Sequence, residues 1–201
     1  MKAILLTLCL AVLPSYADVY GVETGSSAPV FKLPGHDGKS YDLVSHRGKF
    51  VVLEWYNDDC PYVGKHYNSR NMQDLQKLFV GKGVVWWSVI SSAPGEEGYV
   101  TAKEAGKLIR DRKSNPTVIL LDPDGKVGRM YSAQTTPHMY VIDPKGVLVY
   151  QGAIDDKPSV RAATIKTASP LFKNALDAAM LGKPVASGTT KPYGCSVKYV
   201  N

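Results

Sequence analysis

The sequence predicts an α/β fold: a central mixed sheet flanked by helices, with an N-terminal hairpin and an inserted helix. Three observations carry this. Strand-length apolar runs alternate with helical patterns. Phe50–Tyr56 is apolar almost without interruption, as expected of a strand buried on both faces with helices on each side. Two later runs, His138–Ile142 and Val147–Tyr150, are separated only by the tight turn Asp143-Pro-Lys-Gly146 and must be antiparallel.

Residues 18–27 read as a flexible lead-in. Phe31–Leu43 reads as a hairpin turning at Asp37-Gly38. After the Phe50–Tyr56 strand, a helix starts at Pro61, breaks near Asn68-Ser69, and resumes with Met72, Leu75, Leu78 and Phe79 on one face. Val84–Ile90 is a second apolar strand. A polar loop over 91–100 leads to Thr101-Ala-Lys-Glu104, a capping box that opens a helix to about Arg112. Thr117–Leu121 is a strand stopped by Asp122-Pro-Asp-Gly125, and a short helical piece follows to about Tyr131. Ser169-Pro170 starts a last helix capped by Gly182. The tail from Lys183 to Asn201 reads as irregular apart from an anchored end.

The chain has 201 residues, enough for one domain with a substantial core. Residues 1–17 read as a secretory signal: Lys2, an apolar run from Ala3 to Leu13, then Ser15 and Ala17 at the −3 and −1 positions of a cut. The run is too short to span a bilayer, and no other segment is apolar enough. The domains expected are therefore the signal (1–17), the main domain (18–182) and a tail (183–201). The product is exported, periplasmic or secreted, without stable membrane insertion after cleavage. The basic excess, 24 Lys and Arg against 18 Asp and Glu, is spread out without interleaved aromatics, which argues against nucleic-acid binding. Cys9 leaves with the signal, so Cys60 and Cys195 remain, in an oxidising compartment where such a pair can persist as a disulfide.

Cys60 is the first candidate for chemistry. It stands between an apolar strand and a helix, where unpaired N–H groups and the helix dipole favour negative charge. That favours the thiolate, the reactive form of the residue. Pro61 suits the first helical position. Asp58 and Asp59 work against a thiolate; the helix end and Lys65 work for it.

The stretch Val51–Tyr67, with its acidic residue in the strand, its aromatic pair and its cysteine before a helix, resembles the thioredoxin superfamily. Over residues 28–155 the chain resembles the redoxins, the alkyl hydroperoxide reductase/thiol-specific antioxidant group and their exported thiol-oxidoreductase relatives. Phe31–Lys39 matches a segment that redoxins carry ahead of the core, and residues 91–113 match their insertion. The resemblance implies a thioredoxin-like fold. The chain departs from it twice: Val63 replaces the second cysteine of a C-x-x-C pair, and Leu53 and Asn57 replace the Pro and Thr of the peroxidase signature P-x-x-x-T-x-x-C.

The same resemblance assigns further residues. Glu54 matches a buried acid that relays protons to the thiol, and burial would raise its pKa into the range of a general base. Pro137, after Thr136, matches a cis-proline beside the cysteine whose neighbour pairs with substrate peptide. Thr136, Pro61, Tyr62 and His138 are then the expected substrate contacts. His138 could tune the thiolate or, with the cysteines, bind copper. His66 lies about 240° around the helix from Cys60 and is the weaker histidine. Asn57 is placed to hydrogen-bond near the thiol.

The leading expectation is an exported thiol-disulfide oxidoreductase with Cys60 as nucleophile and Cys195 resolving it. Reversible pairing, a permanent disulfide and no pairing all stay open for Cys195. No cofactor or metal is required; the substrates are protein thiols and disulfides or peroxide, with a redox partner protein. A peroxidase is the alternative. A copper chaperone using Cys60, Cys195 and His138 ranks behind it for want of a paired C-x-x-x-C. A domain merely stapled by a disulfide is the remaining reading.

Overall fold

The computed structural model describes residues 21–200. The expected signal segment, with Lys2 and Cys9, lies outside the described residues. Five strands form the main sheet in the order β5-β4-β3-β7-β8. Its centre is β3 (Val51–Trp55), parallel to β4 (Val85–Ile90) and antiparallel to β7 (His138–Ile142). β5 (Val118–Leu121) runs parallel to β4, and β8 (Leu148–Gly152) runs antiparallel to β7. The sheet is mixed, as the turn at Asp143–Gly146 required.

Alternation along the strands divides the core in two. Val52, Tyr56, Trp86, Met139 and Val141 face one cluster. Val63 and Tyr67 of α1 (Pro61–Asn68), Met72, Leu75 and Phe79 of α2 (Asn71–Val80), Ala105 of α3 (Ala102–Arg112) and Phe172 and Leu176 of α5 (Leu171–Met180) cover that side. Val51, Leu53, Trp55, Trp87 and Tyr140 face the other. The hairpin β1 (Lys32–Pro34) and β2 (Ser40–Asp42), with Phe31 and Leu33, closes that side together with the short α4 (Lys126–Met130) and Tyr131. The expectation of helices on both faces of β3 is thus only partly met, because the hairpin takes most of the second face. A fully buried residue such as Phe172 contributes about 2 kcal/mol of apolar transfer.

The expected break in the first helix falls between α1 and α2, where Arg70 is left-handed (φ 66°). Gln73 Nε2 donates to the Tyr67 carbonyl there at 2.9 Å, so the interrupted helix leaves that acceptor paired.

The lead-in is bonded to the domain rather than flexible, while the tail is irregular apart from one short strand near its end, as expected. Within the lead-in, Gly25 N–H donates to Leu148 O (2.8 Å) and Leu148 N–H to Ser26 O (3.0 Å). On the same strand Gln151 N–H donates to Gly188 O (2.8 Å) and Thr190 N–H to Gln151 O (3.0 Å). Two chain segments thereby cap the outer edge of β8, which would otherwise be an open template for pairing. The tail is bonded along its length. It adds its own two-residue strand, β9 (Cys195–Ser196), against β6 (Thr135–Thr136).

The capping box at α3 is complete: Glu104 N–H donates to Thr101 Oγ1 and Thr101 N–H to Glu104 Oε2 (2.8 Å). Thr101→Ala is expected to lower stability by about 1 kcal/mol, read as a lower urea midpoint with an unchanged slope; an unchanged midpoint would contradict this.

Candidate active site

The site is built where β3 ends. Asn57–Cys60 form a turn closed by Cys60 N–H donating to Asn57 O (3.2 Å), and Cys60, in extended conformation, is the N-cap of α1 with Pro61 behind it. Asn57 Oδ1 accepts from Asp59 N–H (2.9 Å), and its Nδ2 donates to Glu97 Oε1 (3.3 Å). A side chain on Gly98 (φ +81°) would collide with Asn57, its Cβ 2.3 Å from Asn57 Oδ1, so the 91–98 loop clamps the turn by close backbone approach. Asp58, expected to oppose a thiolate, is paired with Arg112 (Nε–Oδ1 2.7 Å) and receives the Tyr56 hydroxyl.

Cys60 is 1% exposed. Its Sγ lies 3.0 Å from the Thr136 carbonyl oxygen and 2.7 Å from Cys195 Sγ. Both cysteines are free. A disulfide is about 2.05 Å long, so the two sulfurs need to close by less than about 1 Å. Thr136 and Cys195 sit opposite each other in the β6–β9 pair, and the Thr136–Pro137 bond is cis. Cys60 Sγ is thus within hydrogen-bond reach of both the Thr136 carbonyl oxygen and Cys195 Sγ. Burial, then the hydrogen bond and the charge of Cys60, push the Cys195 thiol up to about 12. The Thr136 hydroxyl is buried without a hydrogen-bond partner among the described residues.

The remaining expected residues divide by strand alternation. Glu54 shares the Val52 and Tyr56 face and is fully buried. Its Oε1 accepts from Tyr67 OH (2.8 Å), and its Oε2 from Trp86 Nε1 (2.8 Å), Gln76 Nε2 (3.2 Å) and Ser88 Oγ (3.2 Å). Burial raises its pKa and these donors oppose the rise. No hydrogen bond joins Glu54 to Cys60, so a proton relay from this acid, as the resemblance implies, would have to pass through intervening groups. His138 goes the other way. It stacks on Tyr140 (4.5 Å between centroids), on the face opposite Met139 and the Cys60 side. Its Nδ1 accepts from Gln134 N–H (3.4 Å) and meets Tyr140 OH (3.1 Å). Among the described residues no three His, Cys, Asp or Glu side chains come together as a metal site, so the copper ligand set does not assemble.

Lys65 does not serve the thiol either. Its side chain is fully buried and bonds both Asp155 oxygens (3.0 and 2.8 Å), the Lys157 carbonyl (2.8 Å) and Tyr193 OH (2.9 Å). Tyr62 packs edge-on against Tyr193 (5.8 Å). His66 is neutral, pushed down to about 4 chiefly by burial; its Nδ1 accepts from Asn71 Nδ2 and its Nε2 meets Tyr193 OH at 3.2 Å. Sequence reasoning missed Asp155, Tyr193 and Gly194. The signal for the last two lay in the Tyr-Gly-Cys run itself: an aromatic anchor and a residue without side chain directly before the thiol.

Burial alone pushes His138 down to about 3 from its ordinary 6.5. The unfolded chain therefore binds a proton below pH 6.5 that the folded chain refuses, and stability falls as pH drops toward 3, by up to about 1.4 kcal/mol per pH unit. The loss of stability between pH 7 and pH 4, measured by urea titration, is expected to be smaller in His138→Gln than in the parent; equal losses would contradict a buried neutral imidazole.

The chain matches the AhpC/TSA family over residues 24–151. It is 27% identical to the thiol-disulfide oxidoreductase ResA of Geobacillus thermodenitrificans over 160 residues, covering 68% of this chain and 88% of that protein. It is similar to the solved structure of an uncharacterized conserved protein from Geobacillus kaustophilus, with TM-score 0.73, 26% identity, and 89% and 93% of the two chains covered. The thioredoxin domain of a thiol-disulfide oxidoreductase from Bacteroides vulgatus superimposes with TM-score 0.52 at 23% identity, over 73% of this chain and 98% of that one, a likeness of fold. From the family match and the shared sheet, we conclude that the chain belongs to the AhpC/TSA family and is built on the thioredoxin fold.

Proposed function

We propose that the protein is an exported thiol-disulfide oxidoreductase in which Cys60 is the redox nucleophile and Cys195 its resolving thiol. The observation that carries this reading is the 2.7 Å approach of the two sulfurs at the N-cap of α1, beside the Thr136 carbonyl. The similarity to a thiol-disulfide oxidoreductase supports it, and the secretory pattern of residues 1–17 supports export.

The steps follow from thiol exchange. The Cys60 thiolate attacks one sulfur of a protein disulfide. The other sulfur leaves as a thiolate and takes a proton from solvent. Cys195 then attacks Cys60 sulfur in the mixed disulfide, gives up its proton, and releases the second substrate thiol. One substrate disulfide is reduced and the Cys60–Cys195 pair is oxidised; a partner dithiol runs the same steps backwards to restore it. Two of the causes that hold Cys195 protonated, the hydrogen bond and the charge of Cys60, vanish once Cys60 is in a mixed disulfide. Cys195 thus becomes easier to ionise at the moment it must attack.

A peroxidase is the second reading. It is favoured by the family and by the buried, unpaired Thr136 hydroxyl, on the residue whose carbonyl touches Cys60. Here Cys60 takes an oxygen from peroxide to become a sulfenic acid, and Cys195 expels it as water. Leu53 and Asn57, in place of the signature residues, count against it.

Cys60→Ser is expected to abolish disulfide reduction. Cys195→Ser should keep the first attack but lose turnover by at least about a hundredfold, accumulating a mixed disulfide visible by mass spectrometry. Parent-level turnover in Cys60→Ser would overturn the assignment, and fast Cys60-dependent consumption of peroxide without disulfide exchange would favour the peroxidase.

A further inference from the structure

The proposed chemistry needs Cys60 to meet a second protein, yet its sulfur is buried. The tail covers it. Cys195 packs on Cys60, Tyr193 lies edge-on to Tyr62 just beyond it, and β9 occupies the strand edge of Thr135–Thr136. The fit is close: a Cβ on Gly194 would lie 2.0 Å from the Thr136 carbonyl oxygen, so no side chain fits there.

Anchors flank this short strand. On the far side Val197 N–H donates to Gln134 O (3.1 Å), the Lys198 carbonyl accepts from Ala93 N–H (2.8 Å), and Tyr199 OH donates to Ala133 O (2.7 Å). On the near side the anchor is Tyr193. Its hydroxyl accepts from Lys65 Nζ, donates to Asp155 Oδ1 and faces His66 Nε2. A buried ammonium and carboxylate are costly unless every polar atom is bonded. The tail therefore supplies a partner to an ion pair inside the domain, two residues before Cys195.

We propose that Tyr193–Ser196 is a tethered pseudo-substrate, filling the strand edge through which an extended, cysteine-bearing segment of another protein reaches Cys60, and that the Tyr193 hydroxyl is the latch that sets how often the edge opens. This rests on Cys60 being the nucleophile. Oxidation to the Cys60–Cys195 disulfide fixes the tail in place and shuts the edge. Reduction leaves the tail held by the latch and its other hydrogen bonds alone, and the edge opens whenever they break together. The tail thus acts as resolving thiol when docked and as competitor of the incoming strand. Tyr193 is a positioning residue, acting through the tail.

The test is the rate at which iodoacetamide alkylates Cys60 in the reduced full-length protein carrying Cys195→Ser, followed by mass spectrometry on the Cys60 peptide. Adding Tyr193→Phe is expected to raise that rate about tenfold, while hydrogen exchange in β3 and β7 stays at the parent level, which a general loss of structure would not allow. Gly194→Ala lifts the strand off Thr136 without removing a group from the ion pair; it should accelerate alkylation similarly and carries the test if Tyr193→Phe does not fold. Rates within twofold of the parent in the folded variants would overturn the latch. Alkylation needs no turnover, and exchange activity is read separately in the protein with Cys195 intact, so the two ideas fail separately: accelerated alkylation beside an inactive Cys195-containing protein sinks the catalytic reading alone, and unchanged alkylation beside an active one sinks the latch alone.

Discussion

The pairing of Thr135–Thr136 with Cys195–Ser196 is the contact on which the site depends. Only two residues on each side take part, so the ladder alone is weak. It is held by what flanks it: Tyr193 in the buried Lys65–Asp155 pair, and Tyr199 on the Ala133 carbonyl. Without that pairing Cys195 is a thiol on a length of tail, and Cys60 is a cysteine at a helix end with no partner sulfur. With it, two sulfurs far apart in sequence are brought within reach of a bond.

The domain supports this contact with buried polar groups. Glu54 takes four donors from α1, α2 and β4, and thereby fixes Tyr67 and Trp86 beneath the Cys60 turn. Lys65 ties α1 to the segment after β8 and to the tail. Neither network touches the Cys60 sulfur, but both fix the geometry around it. A buried ionised pair is poor evidence of net stability, because desolvation offsets much of the Coulomb attraction. What it supplies here is registry, since only one placement of Tyr193 satisfies it.

Much of this was legible in the sequence. The uninterrupted apolar run of β3, the Asp-Pro-Lys-Gly turn, the Thr101 capping box and the break after Asn68 are local signals, each with its own physical cause. Cys60 before Pro61 is local too, and Thr136-Pro137 was placed by resemblance. The tail was not legible. Lys183–Asn201 has no apolar period, and its contacts are made by backbone groups and by single side chains such as Thr190 and Tyr193. Lys65 read as a charge favouring the Cys60 thiolate because its partner Asp155 is 90 residues away. His138 was misplaced for a different reason: strand alternation sets it with Tyr140, away from the face Met139 shares with Cys60, and that period was available in the sequence.

The central claim is that Cys60 and Cys195 form one reversible redox pair. The most direct measurement is non-reducing peptide mapping of the protein equilibrated across a series of glutathione buffers. The account predicts a single cross-linked species joining the Cys60 and Cys195 peptides, which opens and re-forms as the buffer crosses the range near −200 mV typical of thiol oxidoreductases. A pair that stays bonded below about −300 mV, or a Cys60 that never joins Cys195 in any buffer, would contradict it.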